Sequence, residues 1–334
     1  MPATDTILDI QALTVRFHTR QGLVSAVDGL DLVLRRGSVL GLVGESGCGK
    51  TVMSHTLLRI EAPGRIEGGR ISFFGRDGAE VMLDALDPGG STIRRIRWKE
   101  IAMVFQEPMT SFGPQHTIGA QIGEAMALHG IASGRALQPA VVASLQSVGM
   151  PRAEETARQY PHQLSGGMRQ RAMIAMALSC HPTILIADEP TTALDVSTES
   201  QILELLRERQ AALGMSILYI SHNLGVVAQI AHEVAVMYLG RIVERAPVGA
   251  LFASPKHPYT RALLRSIPRV DRDCALEALS GNIPEPFARP AGCSFHPRCP
   301  DRLVGICDQV APALRRMDDG SEVCCHLYGE CAHG

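Results

Sequence analysis

A glycine-rich stretch, GESGCGKT, spans residues 44–51 and matches the pattern G-x-x-x-x-G-K-[ST]. Its glycines allow the backbone to curl until successive N–H groups face one anion. A helix that starts there adds the positive end of its dipole. Lys50 is placed to reach the β- and γ-phosphates of a nucleotide, and the Thr51 hydroxyl is placed to ligate Mg²⁺. The residues predicted to contact the nucleotide in this loop are Gly44, Glu45, Ser46, Gly47, Cys48, Gly49, Lys50 and Thr51.

A phosphate loop of this kind needs a buried strand before it and a helix after it. The apolar run 39–43 predicts that strand, and VMSHTLLRI at 52–60 predicts that helix. These neighbours favour a phosphate loop over a glycine-rich surface turn. The apolar runs 183–187 and 216–220 predict two more buried strands, and polar residues follow each of them. Because open α/β sheets bind ligands at such strand ends, we predict an α/β fold with its site there.

Two carboxylates and a histidine follow these later strands. Asp188 is placed to hold the Mg²⁺ shell through water, and Glu189 is placed to polarise an attacking water. His222 ends the next strand and is placed to hydrogen-bond the γ-phosphate. Alone, adjacent carboxylates or a single histidine at a strand end are typical of ordinary solvated termini. Their predicted roles therefore depend on the phosphate loop upstream.

A second glycine motif, LSGGMRQ, precedes a helix-forming stretch at 164–170. Ser165, Gly166 and Gly167 at a helix start form a second anion site, although two glycines there are also typical of a simple helix cap. One chain does not need two such sites for one triphosphate. A dimer does, because the second site can close over a nucleotide held by the partner. We therefore expect these three residues to contact the partner's nucleotide.

Two other patterns define the organisation of the chain. Alternating apolar and polar residues at 7–17 and 30–34 predict an antiparallel β layer, and the sequence from about 117 to 179 predicts helices. Prolines and cysteines accumulate after about residue 255. The predicted divisions are a nucleotide-binding domain at 1–253, a helical subdomain within it at about 108–165, and a C-terminal extension at 254–334.

The order and spacing of six motifs resemble those of the ATP-binding cassette (ABC) ATPases. The motifs are GESGCGKT at 44–51, Gln106 in VFQEP, LSGGMRQ at 164–170, ILIADEP at 184–190, TALD at 192–195 and His222. The resemblance implies an ABC-type P-loop ATPase, with a RecA-like core, an antiparallel β layer and a helical subdomain. To this is added a small C-terminal extension that contains cysteines.

The family resemblance also implies roles for particular residues. Phe17 is similar to the aromatic residue that stacks on adenine, and Asp195 to a residue at the interface between two ATPases. Gln106 is similar to the glutamine that links Mg²⁺ and the attacking water to the helical subdomain, which touches the membrane subunits. The implied catalytic residues are Glu189, His222 and Gln106, and the implied Mg²⁺ ligands are Thr51, Gln106 and Asp188.

Three positions depart from the general family pattern. Met168 replaces a glutamine, Asn223 replaces the aspartate that follows the switch histidine, and Gly113 replaces an asparagine before proline. Methionine at the first position is common in the subfamily described next. The other two departures remove no phosphate ligand, so catalysis is still expected. What they affect is the expected set of contacts with other subunits.

Longer stretches resemble the ATPase subunits of oligopeptide, dipeptide and nickel importers, including ADEPTTALDV, HNLGVVAQIA and KHPYTRALL. This resemblance implies an ATP-hydrolysing, energy-coupling subunit. Its implied partners are a second ATPase, usually a paralogue, two membrane permeases and, indirectly, an external solute-binding protein. The alternatives are an ABC ATPase that acts on ribosomes or nucleic acid, and a non-hydrolysing regulatory cassette. Glu189, His222 and the intact LSGG argue against the regulatory cassette.

Charge and hydropathy limit the location and the partners. The chain has 334 residues and a formal net charge of -2, so it provides no global field for nucleic acid. No apolar run approaches the ~18–20 residues that span a bilayer, and the first residues do not resemble a secretory signal. We expect a protein bound peripherally at the cytoplasmic face of the membrane, through membrane-embedded partners.

Seven of the 9 cysteines follow residue 270. Cys293, Cys299 and Cys307 have spacings of x5 and x7, and Cys325 follows after x17 with Cys324 beside it. These gaps are wider than the C-x₂₋₄-C pairs of zinc sites, whereas four thiolates suit an iron–sulfur cluster. The family carries a similar tail that binds [4Fe–4S] in some members, with its last cysteine before His-Leu.

We therefore predict a [4Fe–4S] cluster on Cys293, Cys299, Cys307 and Cys325, acting as a staple for a tail with little apolar periodicity. Zinc and plain buried thiols are the alternatives. Cys48 is interpreted as a small side chain tolerated in the loop, with oxidant sensing as the alternative. The cysteines interpreted as structural or incidental are Cys180, Cys274 and Cys331.

Overall fold

The computed structural model describes residues 5–106, 111–192, 194–267, 281–285, 287 and 289–329. The chain divides into two compact units. The first unit consists of Met1–Ile7, Leu34–Ser38 and Phe73–Ile220. The second unit consists of Leu8–Val33, Val39–Ser72 and Ser221–Gly334.

The described residues form the following strands and helices. The strands are β1 (Thr6–Thr19), β2 (Gly22–Arg35), β3 (Val39–Val43), β4 (Arg65–Phe74), β5 (Glu80–Met82), β6 (Ile101–Val104), β7 (Ile184–Asp188), β8 (Ser216–Ser221), β9 (Glu233–Tyr238), β10 (Arg241–Pro247), β11 (Leu314–Arg316) and β12 (Glu322–Cys324). The helices are α1 (Lys50–Leu57), α2 (Ser91–Ile96), α3 (Ile118–Leu128), α4 (Leu137–Ser147), α5 (Ala153–Arg158), α6 (Gly166–Leu178), α7 (Val196–Leu213), α8 (Leu224–Ile230), α9 (Val248–Ala253) and α10 (Pro258–Arg265).

The second unit contains a β layer in which most of β1, β2 and β4 take part in the order β2-β1-β4. A two-residue turn joins β1 to β2, so these long strands run antiparallel, as the alternating sequence predicts. Alternate residues such as Leu13 and Val15 are fully buried, which places the apolar face of this layer against the core.

The second unit also contains strands in the order β11-β12-β10-β9-β3. β3 pairs with β9 in parallel, and β10 pairs antiparallel with both β9 and β12. All five residues of β3 are buried, as expected for a central strand of a covered parallel sheet. Through β12, a segment close to the C-terminus belongs to the same sheet as the strand that precedes the phosphate loop.

The first unit contains the parallel strands β6, β7 and β8 and most of the helices. Met103 of β6 pairs with Ile186 of β7, which pairs in turn with Leu218 of β8. Helices α3, α4 and α5 pack on one another, and α6 packs against α3, α4 and β6. Every residue of α6 from Ala172 to Leu178 is buried, which is typical of a helix in the centre of a core.

Local sequence signals explain where helices α6 and α7 begin and where α7 ends. Ser165 caps α6 and Asp195 caps α7, each by accepting a backbone N–H from the first helical turn. α7 ends at Gly214, whose φ of 61° is the left-handed conformation that favours glycine. The strands predicted at 39–43, 183–187 and 216–220, and the helices predicted between 117 and 179, are confirmed. Within the described ranges, no helix has both the length and the apolar character needed to cross a membrane.

The contact between β3 and α8 provides a test of this packing. A Cβ at Gly41 would lie 2.2 Å from Val227 Cγ1, so Gly41→Ala should destabilise the fold by about 1–3 kcal/mol. Removing the opposing atoms with Gly41→Ala/Val227→Ala should restore part of that loss. Gly249→Ala is the control, because its Cβ meets open space and alanine favours the helix. Unfolding midpoints measure all three, and an unchanged midpoint for Gly41→Ala would contradict the packing.

Candidate functional site

The loop at 44–51 connects β3 to α1 within the second unit, as predicted. A Cβ at Gly44 would lie 2.2 Å from the Met237 carbonyl oxygen. Gly49 has a φ of 106°, and a Cβ there would lie 2.2 Å from the Ala26 carbonyl oxygen. Because no larger residue fits at either position, glycine is required for the loop to curl this closely against its neighbouring strands.

Lys50 occupies the inside of this curl as the first residue of α1. It is 5% exposed, and its Nζ donates to the carbonyl oxygens of Gly44 at 2.8 Å and Glu45 at 3.1 Å. Thr51 follows it, at a position where the first N–H groups of a helix have no intrahelical acceptor. A buried ammonium group and these N–H groups at one point form the donor set that an anion requires.

Cys48 lies inside the same loop, where it is 4% exposed and its Sγ accepts from Lys50 Nζ at 3.8 Å. Burial raises the pKa of the Cys48 thiol, although the Lys50 charge acts in the opposite direction. A raised pKa keeps the thiol protonated, whereas the thiolate is the form that reacts. The structure therefore favours the interpretation of Cys48 as a small, tolerated side chain over that of an oxidant sensor.

A cavity of about 390 Å³ opens beside the loop in the second unit. Its walls include residues 24–26 of β2, residues 46–48 of the loop and Leu239. Residues 283–285 and Arg289, from the C-terminal part of the chain, also line it. This volume lies in the range of small-molecule sites, and the sequence offered no signal that the C-terminal segment would reach it.

Phe17 and His222 are two further predicted site residues of the second unit. Phe17 is half-buried, and its ring lies so close to Gly64 that a Cβ there would be 2.8 Å from Phe17 Cζ. His222 is exposed just before α8. Asn223, which departs from the family's aspartate, caps α8 by accepting the Gly225 N–H at 2.9 Å. Asparagine and aspartate are equally good caps, so this departure preserves the helix start.

Asp188 and Glu189 lie at the carboxyl end of β7 in the first unit. Asp188 is 1% exposed. Glu189 has a φ of 46°, which is uncommon for a residue other than glycine and typical of constrained functional positions. Its N–H donates to the Ile220 carbonyl oxygen at 2.9 Å, so the neighbouring strand holds the backbone in this conformation.

Two side chains of the first unit hold the Glu189 carboxylate. Gln106 Nε2 donates to Glu189 Oε2 at 3.2 Å, which brings two of the predicted catalytic residues together. Thr192 Oγ1 donates to the same oxygen at 3.0 Å. Thr192 was not predicted as a site residue, although its position three residues after Glu189, in the turn that follows the strand, could have indicated it.

Asp195 and Gly167 of the second glycine motif both lie against Thr198 in the first unit. Ser165 Oγ accepts the Met168 N–H at 3.3 Å, so position 168 contributes its backbone and tolerates methionine. Asp195 accepts the Thr198 N–H at 2.9 Å and the Thr198 hydroxyl at 2.8 Å, and these bonds lower the pKa of its carboxyl. A Cβ at Gly167 would lie 3.0 Å from Thr198 Cγ2, so the glycine allows the two helix starts to approach.

The predicted iron–sulfur cluster is wrong. Among the described residues, which include Cys293, Cys299, Cys307 and Cys325, no group of three or more His, Cys, Asp or Glu could hold a metal ion. Burial raises the pKa of Cys299 and Cys325 to about 11. The spacing of cysteines along the chain did not indicate how their sulfur atoms are placed.

Backbone hydrogen bonds hold the described part of the C-terminal extension. The Cys293 N–H donates to the Cys307 carbonyl oxygen at 2.8 Å, and β12 pairs with β10. Cys324 lies on β12 as a free, half-buried cysteine, and Cys180 is buried. Cys274 and Cys331 lie outside the described residues.

Comparisons with known proteins agree with these features. Residues 27–192 match the family described as ABC transporter, and residues 243–307 match the C-terminal region of oligopeptide/dipeptide transporters. A putative peptide import ATP-binding protein of Brucella ovis is 48% identical over 335 residues, covering 98% of each chain. The dipeptide transport ATP-binding protein DppD of Bacillus subtilis is 44% identical over 329 residues, covering 98% of this chain and 96% of that protein.

Solved structures share the fold. CbiO1 from Clostridium perfringens, part of the ABC transporter complex CbiONQ, has a TM-score of 0.62 at 27% identity, covering 75% of this chain and 92% of that chain. A dimeric ATP-binding cassette in a post-hydrolysis state, bound to ADP and Pi, has a TM-score of 0.63 at 23% identity, covering 72% of this chain and 99% of that chain. The predicted α/β fold of an ABC ATPase is confirmed.

The site and the fold define an ATP-binding cassette, and the chain belongs to the ABC transporter family. Within that family it is an ATP-hydrolysing, energy-coupling transporter subunit of the oligopeptide/dipeptide group. These matches support a transporter subunit and not the alternative of an ATPase that acts on ribosomes or nucleic acid.

The burial of Cys48 predicts low reactivity of its thiol. Because the thiol is 4% exposed and burial also raises its pKa, alkylation by iodoacetamide at pH 7.5 should be at least about tenfold slower than for N-acetylcysteine. Mass spectrometry of the peptide that contains residues 44–51 measures the rate, with the urea-unfolded chain as the control. Rapid alkylation of the folded chain would contradict the placement of this thiol.

Proposed function

We propose that this chain hydrolyses ATP to drive the uptake of peptides through partner membrane subunits. The full-length similarity to peptide import and dipeptide transport ATP-binding proteins supports a peptide as the solute. The observation that carries the ATPase role is the constrained carboxylate of Glu189, which Gln106 and Thr192 hold at a strand end. We propose that residues 1–253 form the nucleotide-binding domain and that residues 254–334 form a C-terminal extension.

The phosphate chain of ATP would bind in the loop at 44–51. Lys50 Nζ would exchange its two loop carbonyl acceptors for oxygens of the β- and γ-phosphates, and the first N–H groups of α1 would face the same anion. Phe17 would stack on the adenine. The Thr51 hydroxyl, the Gln106 amide oxygen and the Asp188 carboxylate are hard oxygen ligands that suit Mg²⁺. That ion would supply charge neutralisation at the phosphates.

Glu189 would orient the attacking water in line with the leaving oxygen. In the present arrangement its carboxylate accepts from Thr192 and Gln106, which holds the carboxylate at a fixed point. His222 would hydrogen-bond the γ-phosphate. Because phosphoryl transfer depends mainly on positioning and charge stabilisation, small displacements of these groups would be enough to separate resting and active states.

A second ATPase subunit, which we take to be a paralogue, would complete the site. Ser165, Gly166 and Gly167 would close over the nucleotide of that partner, and Asp195 would lie at the interface between the two subunits. The shared contact with Thr198 supports a joint role, because it couples the starts of α6 and α7. ATP would hold the two subunits together, and hydrolysis would release them.

This opening and closing would drive two membrane permeases between their inward- and outward-facing states, and an external binding protein would deliver the peptide. The helical layer of α3, α4 and α5 would touch the permeases. The chain would thus be held peripherally at the cytoplasmic face of the membrane.

Replacing the proposed catalytic carboxylate tests the mechanism. Glu189→Gln, assembled with its partners, should bind ATP as tightly as the natural chain but hydrolyse it at least about a hundredfold more slowly, because the amide cannot accept the proton of water. Release of phosphate and equilibrium binding of ATP are the measurements. Glu208→Gln, on the exposed side of α7, is the matched control and should retain full activity. Normal turnover in Glu189→Gln would refute the assignment.

A further inference from the structure

The phosphate loop contains an acidic side chain, Glu45, which is unfavourable beside a triphosphate because like charges repel. The contacts of Glu45 show how the fold compensates its negative charge. Three polar groups of Glu45, its N–H, its carbonyl oxygen and its carboxylate, each bind a different residue. Two of these partners, Tyr259 and Arg298, belong to the C-terminal part of the chain. All of these residues lie in the second unit.

Arg298 binds the Glu45 carboxylate with both ends of its guanidinium group. Nη1 donates to Oε2 at 2.7 Å, and Nη2 donates to Oε1 at 3.1 Å. The Arg298 side chain is 3% exposed and the Glu45 side chain is 22% exposed. A bidentate, largely buried pair fixes geometry as well as charge, unlike the exposed ion pairs of a protein surface.

An aromatic cluster positions the guanidinium group. Arg298 Cζ lies 5.9 Å from the centre of the Tyr238 ring, and the Tyr238 hydroxyl accepts from Arg298 Nη1 at 3.5 Å. The rings of Tyr238, Tyr259 and Phe295 pack on one another, with centroids 4.7–5.3 Å apart. All three are buried, so Arg298 has little freedom to leave the loop.

Tyr259 holds the backbone of the same loop residue. Its hydroxyl oxygen accepts the Glu45 N–H at 2.9 Å. The start of α10 keeps Tyr259 in place, because the ring atom Nδ1 of His257 accepts the backbone N–H of Tyr259 at 3.0 Å. The backbone N–H of His257 in turn donates to the Glu244 carboxylate at 2.8 Å. His257 is buried, and burial lowers its pKa to about 3, so it stays neutral and able to accept.

We propose that Arg298 and Tyr259 are positioning residues for ATP binding: they hold Glu45 so that its charge is neutralised and the loop keeps the curl that Lys50 occupies. The C-terminal region is then part of the nucleotide site, which agrees with the cavity walls formed by residues 283–285 and Arg289. This inference rests on the proposed binding of ATP at 44–51. It adds that ATP binding requires Arg298 and Tyr259, which lie more than 200 positions after Glu45 in the sequence.

The alternative is that the ion pair only attaches the C-terminal tail. A tail that is merely loosened would lower the fraction of active protein, and hence the apparent kcat, without changing the KM for ATP. Loss of loop positioning would raise the KM and leave kcat nearly unchanged. The two roles therefore differ in which kinetic constant responds.

The first test replaces the arginine. Arg298→Gln should raise the KM for ATP of the assembled transporter about tenfold or more, with kcat within about twofold of the natural value, because it leaves the Glu45 carboxylate uncompensated beside the phosphates. Arg316→Gln is the matched control, since Arg316 also pairs with a glutamate in the tail, Glu322, but is 83% exposed. It should change neither constant. An unchanged KM in a folded Arg298→Gln protein would overturn the inference.

The second test removes both charges. Glu45→Gln/Arg298→Gln should bring the KM back to within about threefold of the natural value, because no uncompensated carboxylate remains beside the phosphates. It also remains informative if Arg298→Gln fails to fold. A double variant with a KM as high as that of Arg298→Gln would show that the arginine acts through packing of the tail, which would overturn the charge argument.

The third test concerns the backbone contact. Tyr259→Phe keeps the ring in its cluster but leaves the Glu45 N–H without its acceptor, so the KM should rise several-fold at unchanged kcat. Tyr328→Phe is the control, because its hydroxyl donates to the Lys256 carbonyl oxygen within the same tail. Equal effects of the two substitutions would overturn the role of Tyr259. ATP binding by the natural chain supports the proposed function whatever these variants do, so the two hypotheses can fail separately.

Discussion

A triphosphate can be bound by backbone N–H groups only if the backbone is held in one conformation before the ligand arrives. In this protein that constraint acts on residues 44–51. Glycine is required at Gly44 and Gly49 by carbonyl oxygens only 2.2 Å from where a Cβ would lie, and Lys50 fills the curl from inside. The loop is thus fixed by its surroundings, and its N–H groups need little reorganisation to meet an anion.

The carboxylate proposed to be catalytic, that of Glu189, is constrained in a similar way within the first unit. Glu189 adopts an uncommon backbone conformation that a hydrogen bond to Ile220 maintains, and its carboxylate is held by Gln106 and Thr192. Hydrogen bonds thus hold both the backbone and the carboxylate of Glu189 within the first unit.

Features that depend on neighbouring residues in sequence were predictable. The strand before the phosphate loop, the helix after it and the helix start at Ser165 all follow from short patterns, and the structure contains them. The pairing of Glu45 with Arg298 was not predictable, because an aromatic cluster assembled from β9, α10 and the tail positions the arginine. The iron–sulfur prediction was wrong for a related reason: the spacing of cysteines along the chain does not determine which sulfur atoms lie close together.

We propose that residues 44–51 bind the triphosphate and that a second ATPase subunit encloses it. A structure of the assembled transporter with a non-hydrolysable ATP analogue would show both contacts at once. We expect the γ-phosphate within hydrogen-bonding distance of Lys50 Nζ, with the LSGG sequence of the other subunit facing it. A nucleotide bound away from Lys50, or one with no second subunit against it, would be incompatible with this mechanism.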